Sequence, residues 1–232
     1  MISILVWKWG RLFGPEYPNR TRSMLKRHLH LPHRLYCVTD DPTGLDPEIE
    51  VVAIPTWLAD TPRCRRRMQQ YSADFDALFG ARLLSIDLDV VIVGDITPIV
   101  DRPEPVVCWR VGYANVFSGS FVLWSAGALD GAWCSYRADP EGYPQRAQPG
   151  GVGSDQAMLN KWLRESRSPV AEWTEADGFV SYFGAGYEKL EHHGIGPRQQ
   201  TLPNGARIIV MGSADKAHLE SGRYHWAREH WK

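Results

Sequence analysis

The 232-residue chain has no run of 18 or more apolar residues, so no membrane-crossing helix is expected. Its opening, MISILVWKWG, has neither a basic leader region nor a small-residue cleavage site, so no signal peptide is read there. Cysteine is scarce: Cys37, Cys64, Cys108 and Cys134 form no C-x-x-C pair, which argues against a disulfide framework or a zinc knuckle. No H-x-x-x-H or H-E-x-x-H arrangement occurs among the eight histidines, so no zinc site is expected. Together these absences point to a reduced, cytoplasmic protein. A large excess of one charge is also missing. The net charge of −1 excludes a strongly basic nucleic-acid coat, and no nucleic-acid partner is expected.

What the chain does have is an uneven charge. Residues 1–36 carry seven Lys and Arg against the single Glu16, so the rest of the chain is net acidic. Ten tryptophans are a second excess. Short apolar runs stand at Ile2–Trp7, Leu35–Val38, Ile49–Ile54, Leu83–Ile86, Val106–Trp109, Phe121–Trp124 and Ile208–Met211. Most are continuous rather than alternating, as in strands buried on both faces of a mostly parallel sheet. Helical stripes lie between them: Met24, Leu25, His28, Leu29; then Met68, Tyr71, Phe75, Leu78, Phe79; then Met158, Leu159, Trp162, Leu163 behind Ser154, a candidate N-cap. The expected fold is α/β, a mostly parallel central sheet flanked by helices, in one domain over 1–232. Residues 139–153 and 191–205 read as long loops, and 223–232 as a helix docked over the domain.

Ligands of open α/β sheets bind beyond the carboxyl ends of the strands. Three runs end there in polar groups: Lys8, then Asp40-Asp41, then Asp87-Leu88-Asp89. If the last stretch is extended, Leu88 faces the core and both carboxylates reach one cation, for which their hard oxygens suit Mn²⁺ or Mg²⁺. Two solvated turn residues are the plainer alternative. Arg67, one turn before Tyr71, is placed to neutralise a diphosphate, whereas Arg63, Arg65, Arg20, Arg22, Lys26 and Arg27 read as solvated. Asp155 and Gln156 open a helix. A carboxylate there either answers the helix dipole or, with Gln156, points into the cleft toward a polyhydroxylated substrate.

The stretches VWKWG, YCVTDDPTGL, CRRRM, LLSIDLDVVIVGDITPI, FSGSFVLW, GSDQAMLN, WTEADG and ARIIVMG follow one another in an order that resembles GT-A glycosyltransferases. The resemblance is to bacterial and phage-type proteins related to the glycogenin-like, retaining galactosyltransferase group (family 8). It implies a nucleotide-sugar donor, with UDP the expected nucleotide, and an acceptor of unknown class. Asp87 and Asp89 would hold Mn²⁺ (or Mg²⁺) on the donor diphosphate. Trp7, Lys8, Asp40 and Leu88 would line the donor pocket, with Arg67 near the phosphates or the sugar. Ser118 and Gly119 would underlie the donor sugar, Asp155 and Gln156 would face the reacting centre, and Glu175 and Asp177 would lie on the acceptor side. Retention of anomeric configuration is implied as well. One departure concerns the metal: the family's usual His is replaced by Met211 or Gly212, leaving Asp215, His218 or water as third ligand, with Lys216 standing for the phosphate-binding Lys.

Two other readings compete. A degenerate relative would bind a nucleotide-sugar without transferring it. A haloacid-dehalogenase-type phosphatase would use Asp87 as nucleophile and Asp89 as acid. That motif normally follows the first strand of its domain, yet here a long stretch of α/β pattern precedes it, and the usual downstream acidic pair is missing.

Overall fold

The computed structural model describes residues 1–58, 60–147, 153–183, 194–196, 199–211 and 224–232. In chain order the strands are β1 Ile2–Lys8, β2 His33–Thr39, β3 Glu50–Ala53, β4 Arg82–Ile86, β5 Val91–Ile92, β6 Val106–Val111, β7 Val116–Ser125, β8 Ala171–Trp173, β9 Phe179–Tyr182, β10 Gly194–Ile195 and β11 Ile208–Met211. The helices are α1 Glu16–His28, α2 Ala73–Asp76, α3 Thr97–Val100, α4 Asp130–Ala138, α5 Gly142–Arg146, α6 Asp155–Ser166 and α7 His225–His230, with a 3-10 segment over Arg63–Tyr71. All seven apolar runs of the sequence became strands.

The central sheet has seven strands in the order β3-β2-β1-β4-β7-β6-β8. Four of its six pairings are parallel; only β7 runs antiparallel to its neighbours β4 and β6. The expected α/β class with a mostly parallel sheet is therefore present. A second sheet, β10-β9-β11-β5, adds a layer that the sequence pattern did not reveal.

Strand periodicity divides the core. On β1, Ile2, Ile4 and Val6 join the apolar cluster with Met24 and Leu25 of α1, whereas Leu5 and Trp7 join the opposite one with Met68, Tyr71 and Phe75. On β7, Phe121 and Leu123 face the first cluster, Val122 and Trp124 the second. The second sheet packs into the first cluster through Val91, Ile92, Phe179 and Ile208. No described helix is long and apolar enough to cross a membrane.

Three expectations need correction. The stripe from Met68 to Phe79 is not one helix: Ser72 is extended (ψ 140°), ends the 3-10 segment and caps α2 by accepting from the Phe75 N–H at 3.1 Å. Leu78, expected inward, is 68% exposed. The basic residues of α1 are not simply solvated. Arg22 pairs with Asp46 and Glu48, Arg20 stacks on Trp231, and Arg27 holds the main-chain oxygens of His230 and Lys232. Within the first expected loop α5 forms, while 148–152 lie outside the described residues. The tail does dock: Trp226 and Trp231 are buried against the domain.

Candidate active site

The chain runs β1, β2, β3 to one side and then returns to place β4 on the other side of β1. Parallel register sets Lys8 beside Thr39 and Leu5 beside Ser85, so β1, β2 and β4 end on one rim. A change of direction of this kind opens a crevice at the carboxyl ends of the strands. A cavity of about 200 Å³ lies there, lined by Trp7, Trp9, Phe13, Cys64, Arg67, Ile86, Asp87, Leu88 and Asp89.

Arg67 organises it. The 3-10 segment carries this residue into the interior, where it is 8% exposed. Nη1 donates to Asp87 Oδ1, Nη2 donates to the Gly119 carbonyl at 3.1 Å, and Nε lies 3.2 Å from Asp155 Oδ2. Burial disfavours the guanidinium charge, but Asp155 and Asp87 outweigh it and hold the Arg67 pKa above its ordinary value. Burial pushes the Asp155 carboxyl up, Arg67 opposes that shift and Asp87 adds to it. The Cys64 thiol beside Asp155 is pushed up to about 11, by burial first and then by the carboxylate.

Asp87 and Asp89 both line the cavity, but the stretch is not extended as expected. The Val90 N–H donates to the Asp87 carbonyl at 3.1 Å, which closes a turn, while the Asp87 N–H prolongs the sheet by donating to Ser120 at 2.9 Å. Leu88 is buried in the apolar core. Arg67 pairs with two carboxylates, Asp155 and Asp87, and Asp89 lines the cavity beside them, a formal excess of negative charge. Two half-buried carboxylates at a cavity rim form the oxygen donor set that Mg²⁺ or Mn²⁺ uses when phosphates complete its shell. Among the described residues there is no group of three or more His, Cys, Asp or Glu that could hold a metal. Lys216, Asp215 and His218 lie outside the described residues.

The N-terminus of α6 closes the site from the β7 side. Ser154 caps it by accepting from the Ala157 N–H at 3.0 Å, as the sequence suggested. Gln156 Oε1 accepts the Gly119 N–H at 2.9 Å. The absence of a side chain eases this approach, since a Cβ on Gly119 would lie 3.1 Å from the Gln156 Cβ and push it back by a few tenths of an ångström. Ser118, Ser120 and Gln156 also line a second cavity, of about 270 Å³, with Trp109, Tyr113, Ser181 and Met211. Gly119 thus forms a partition. Its carbonyl takes a hydrogen bond from Arg67 of the charged cavity, and its flanking serines face one that has no charged side chain among the described residues.

The remaining expected residues are spread around this centre. Trp7 lines the charged cavity, donates to Gln70 Oε1 at 3.1 Å and stacks on Phe75. Lys8 is buried, and its Nζ donates to the Asp41 carbonyl at 3.0 Å; Asp40 accepts the Gly10 N–H at 3.0 Å. Both shape the loops after β1 and β2 and are not among the cavity-lining residues. Glu175 accepts the Gly112 N–H at 3.3 Å and lines a separate cavity with Phe179, Val180 and Ala206, whereas Asp177 caps its own turn by accepting the Thr174 N–H at 2.8 Å. Sequence reasoning missed Trp9, Phe13 and Cys64 as cavity residues, and Arg66, which stacks over Trp9 at 5.1 Å. The strand-end position of Trp9, next to Lys8, was the available signal. No family model matches the chain, and no curated protein matches it either.

Proposed function

We propose that this chain is a glycosyltransferase of the GT-A type that takes its sugar from a nucleotide-diphosphate donor. One observation carries the reading: Arg67 ties Asp87, Asp155 and Gly119 into one unit at the strand-end crevice, between a charged and an uncharged cavity. A diphosphate fits the charged side, and a neutral sugar fits the side lined by Ser118, Ser120 and Gln156. Bound to Asp87 and Asp89, a divalent ion would supply Lewis acidity to the departing diphosphate. Arg67 acts as a positioning residue. Its donors hold Asp87 and Asp155 in place, and its fixed positive charge lies where negative charge grows on the leaving group. Gln156 holds Gly119, and so the floor under the sugar, in one position. Trp7 and Trp9 give the charged cavity an apolar wall suited to a nucleobase.

The test is a melting-temperature panel of UDP, GDP and UDP-sugars with and without Mn²⁺, followed by donor hydrolysis. A ligand of the folded state raises the melting point by mass action. The expected result is a nucleoside-diphosphate shift that grows with Mn²⁺ and donor hydrolysis that Asp89→Ala abolishes without unfolding the chain. Absence of any nucleotide shift overturns the reading, as does hydrolysis of phosphate esters through an Asp87 phosphoenzyme. A donor that binds but is not hydrolysed by the wild type leaves the degenerate, binding-only reading.

A further inference from the structure

A second recessed site lies on the other side of the 3-10 segment, away from the charged cavity. Trp57, on a short 3-10 turn over Thr56–Leu58, is 52% exposed, although an indole is the largest apolar side chain a protein can bury. It is not loose. Its ring meets Trp133 of α4 at 5.9 Å between centroids, and the Arg137 guanidinium braces both indoles, at 5.2 Å from Trp57 and 5.5 Å from Trp133. A cation held over two rings keeps them oriented in water. The exposed indole borders a cavity of about 250 Å³ whose charged lining is Asp60, Arg65, Arg137 and Glu141.

We infer that this is a glycan-binding platform for a neutral saccharide. The chemistry narrows the ligand class. A rigid, exposed indole offers a flat apolar face, and the C–H face of a pyranose packs on such a face. Two carboxylates and two guanidiniums around it are planar groups whose paired acceptors and donors match vicinal hydroxyls. Their charges cancel, which disfavours a phosphate-rich strand, because nucleic acid needs net positive charge. The volume lies below the roughly 300–1,000 Å³ of drug-sized pockets, which suits one ring of a longer chain.

The platform also has a structural link to the candidate active site. Arg65 lines it, while Cys64 and Arg67 of the same 3-10 segment line the charged cavity. A saccharide held on Trp57 would thereby share this segment with the proposed site of transfer, on its opposite side. Naming it the acceptor rests on the transferase reading; its binding does not.

The experiment is saturation-transfer NMR of the full chain with maltotetraose, cellotetraose, chitotetraose and lacto-N-tetraose, beside a single-stranded oligonucleotide. Wild type is expected to bind at least one of the tetrasaccharides. Trp57→Ala should weaken that binding by about tenfold or more, the loss of one stacking contact, whereas Trp57→Phe largely retains it. Glu141→Gln, an exposed substitution, should weaken it too and replaces Trp57→Ala as the deciding variant if that chain does not fold. The inference is overturned if no tetrasaccharide binds, if the deciding variant binds as wild type does, or if only the oligonucleotide binds. Donor hydrolysis, measured on the wild type alone, separates the two proposals. Glycan binding without hydrolysis keeps the platform and removes the transferase reading; hydrolysis without glycan binding does the reverse.

Discussion

Arg67 Nε lies 3.2 Å from Asp155 Oδ2 in the interior, while the same guanidinium reaches Asp87 and the Gly119 carbonyl. Removing one partner of a buried ion pair strands the others without compensation. Arg67→Met is therefore expected to destabilise the chain by about 3–5 kcal/mol in urea unfolding. Arg67→Met combined with Asp155→Leu should be less unstable than the sum of the two single changes, because the stranded carboxylate is gone. Strict additivity in that cycle would show that the pair is not coupled.

Asn160 fastens α6 to the N-terminal end of β7. Its Oδ1 accepts the Phe117 N–H at 2.9 Å, and its Nδ2 donates to the carbonyls of Phe117 and Gln156, each at 2.8 Å. The residue is 5% exposed, so truncation leaves buried main-chain groups unpaired. Asn160→Ala is expected to cost about 2–3 kcal/mol. It should also speed amide exchange at Phe117 and Gly119 more than elsewhere in β7. Uniform exchange along β7 would contradict the fastening role.

How much of this was legible beforehand depended on sequence distance. Continuous apolar runs announce strands whose two faces are both covered, and Ile2–Trp7 and Phe121–Trp124 are such strands. Ser154 announced α6 because an N-cap acts within three residues. Strands β5 and β8, of two and three residues, are too short to carry a period. The break at Ser72 was hidden because Met68, Tyr71 and Phe75 have the spacing of an unbroken helix. For the site, the strand-end position of Asp87 and Asp89 was readable, and so was Arg67 as a cavity residue, whereas the protein groups it holds were not. Its partners Asp87, Gly119 and Asp155 come from three distant segments. The spacing to Tyr71 singled out Arg67, but nothing local marked Arg66, which packs on Trp9.

Asp76 makes stability depend on pH in an unusual direction. It accepts from Trp124 Nε1 at 3.0 Å and from the Gly127 N–H at 2.8 Å, yet burial lifts its pKa to about 6. A carboxyl whose pKa is raised on folding holds its proton better in the native state. Its stabilisation is therefore complete below about pH 4 and is lost as pH rises through 6. The loss should be on the order of 1–2 kcal/mol once residual solvent screening is allowed for. The stability difference between wild type and Asp76→Asn, followed by urea unfolding from pH 4 to 7, is expected to shift against the wild type by that amount. A difference that stays level across this range would refute the assignment.

The contact between α1 and α7 is expected to weaken in acid. The His28 and His230 rings stand 6.3 Å apart, and Arg27 spans them by donating to the main-chain oxygens of His230 (2.7 Å) and Lys232 (2.9 Å). Burial lowers both histidine pKa values. Arg27, His30 and the facing ring add to this at His28, as do Arg27, Lys232 and His225 at His230; Asp95 and Glu229 oppose it. A base whose pKa is depressed on folding stabilises the native state above its ordinary value of about 6.5, and that stabilisation is lost as pH falls through the lowered pKa. Between pH 7.5 and 5, amide protection over residues 224–232, corrected for intrinsic exchange, is expected to fall before that of β1. His28→Gln with His230→Gln should remove this selective loss, because neither amide takes up a proton. Persistence of the loss in the double variant would locate the acid-sensitive group elsewhere.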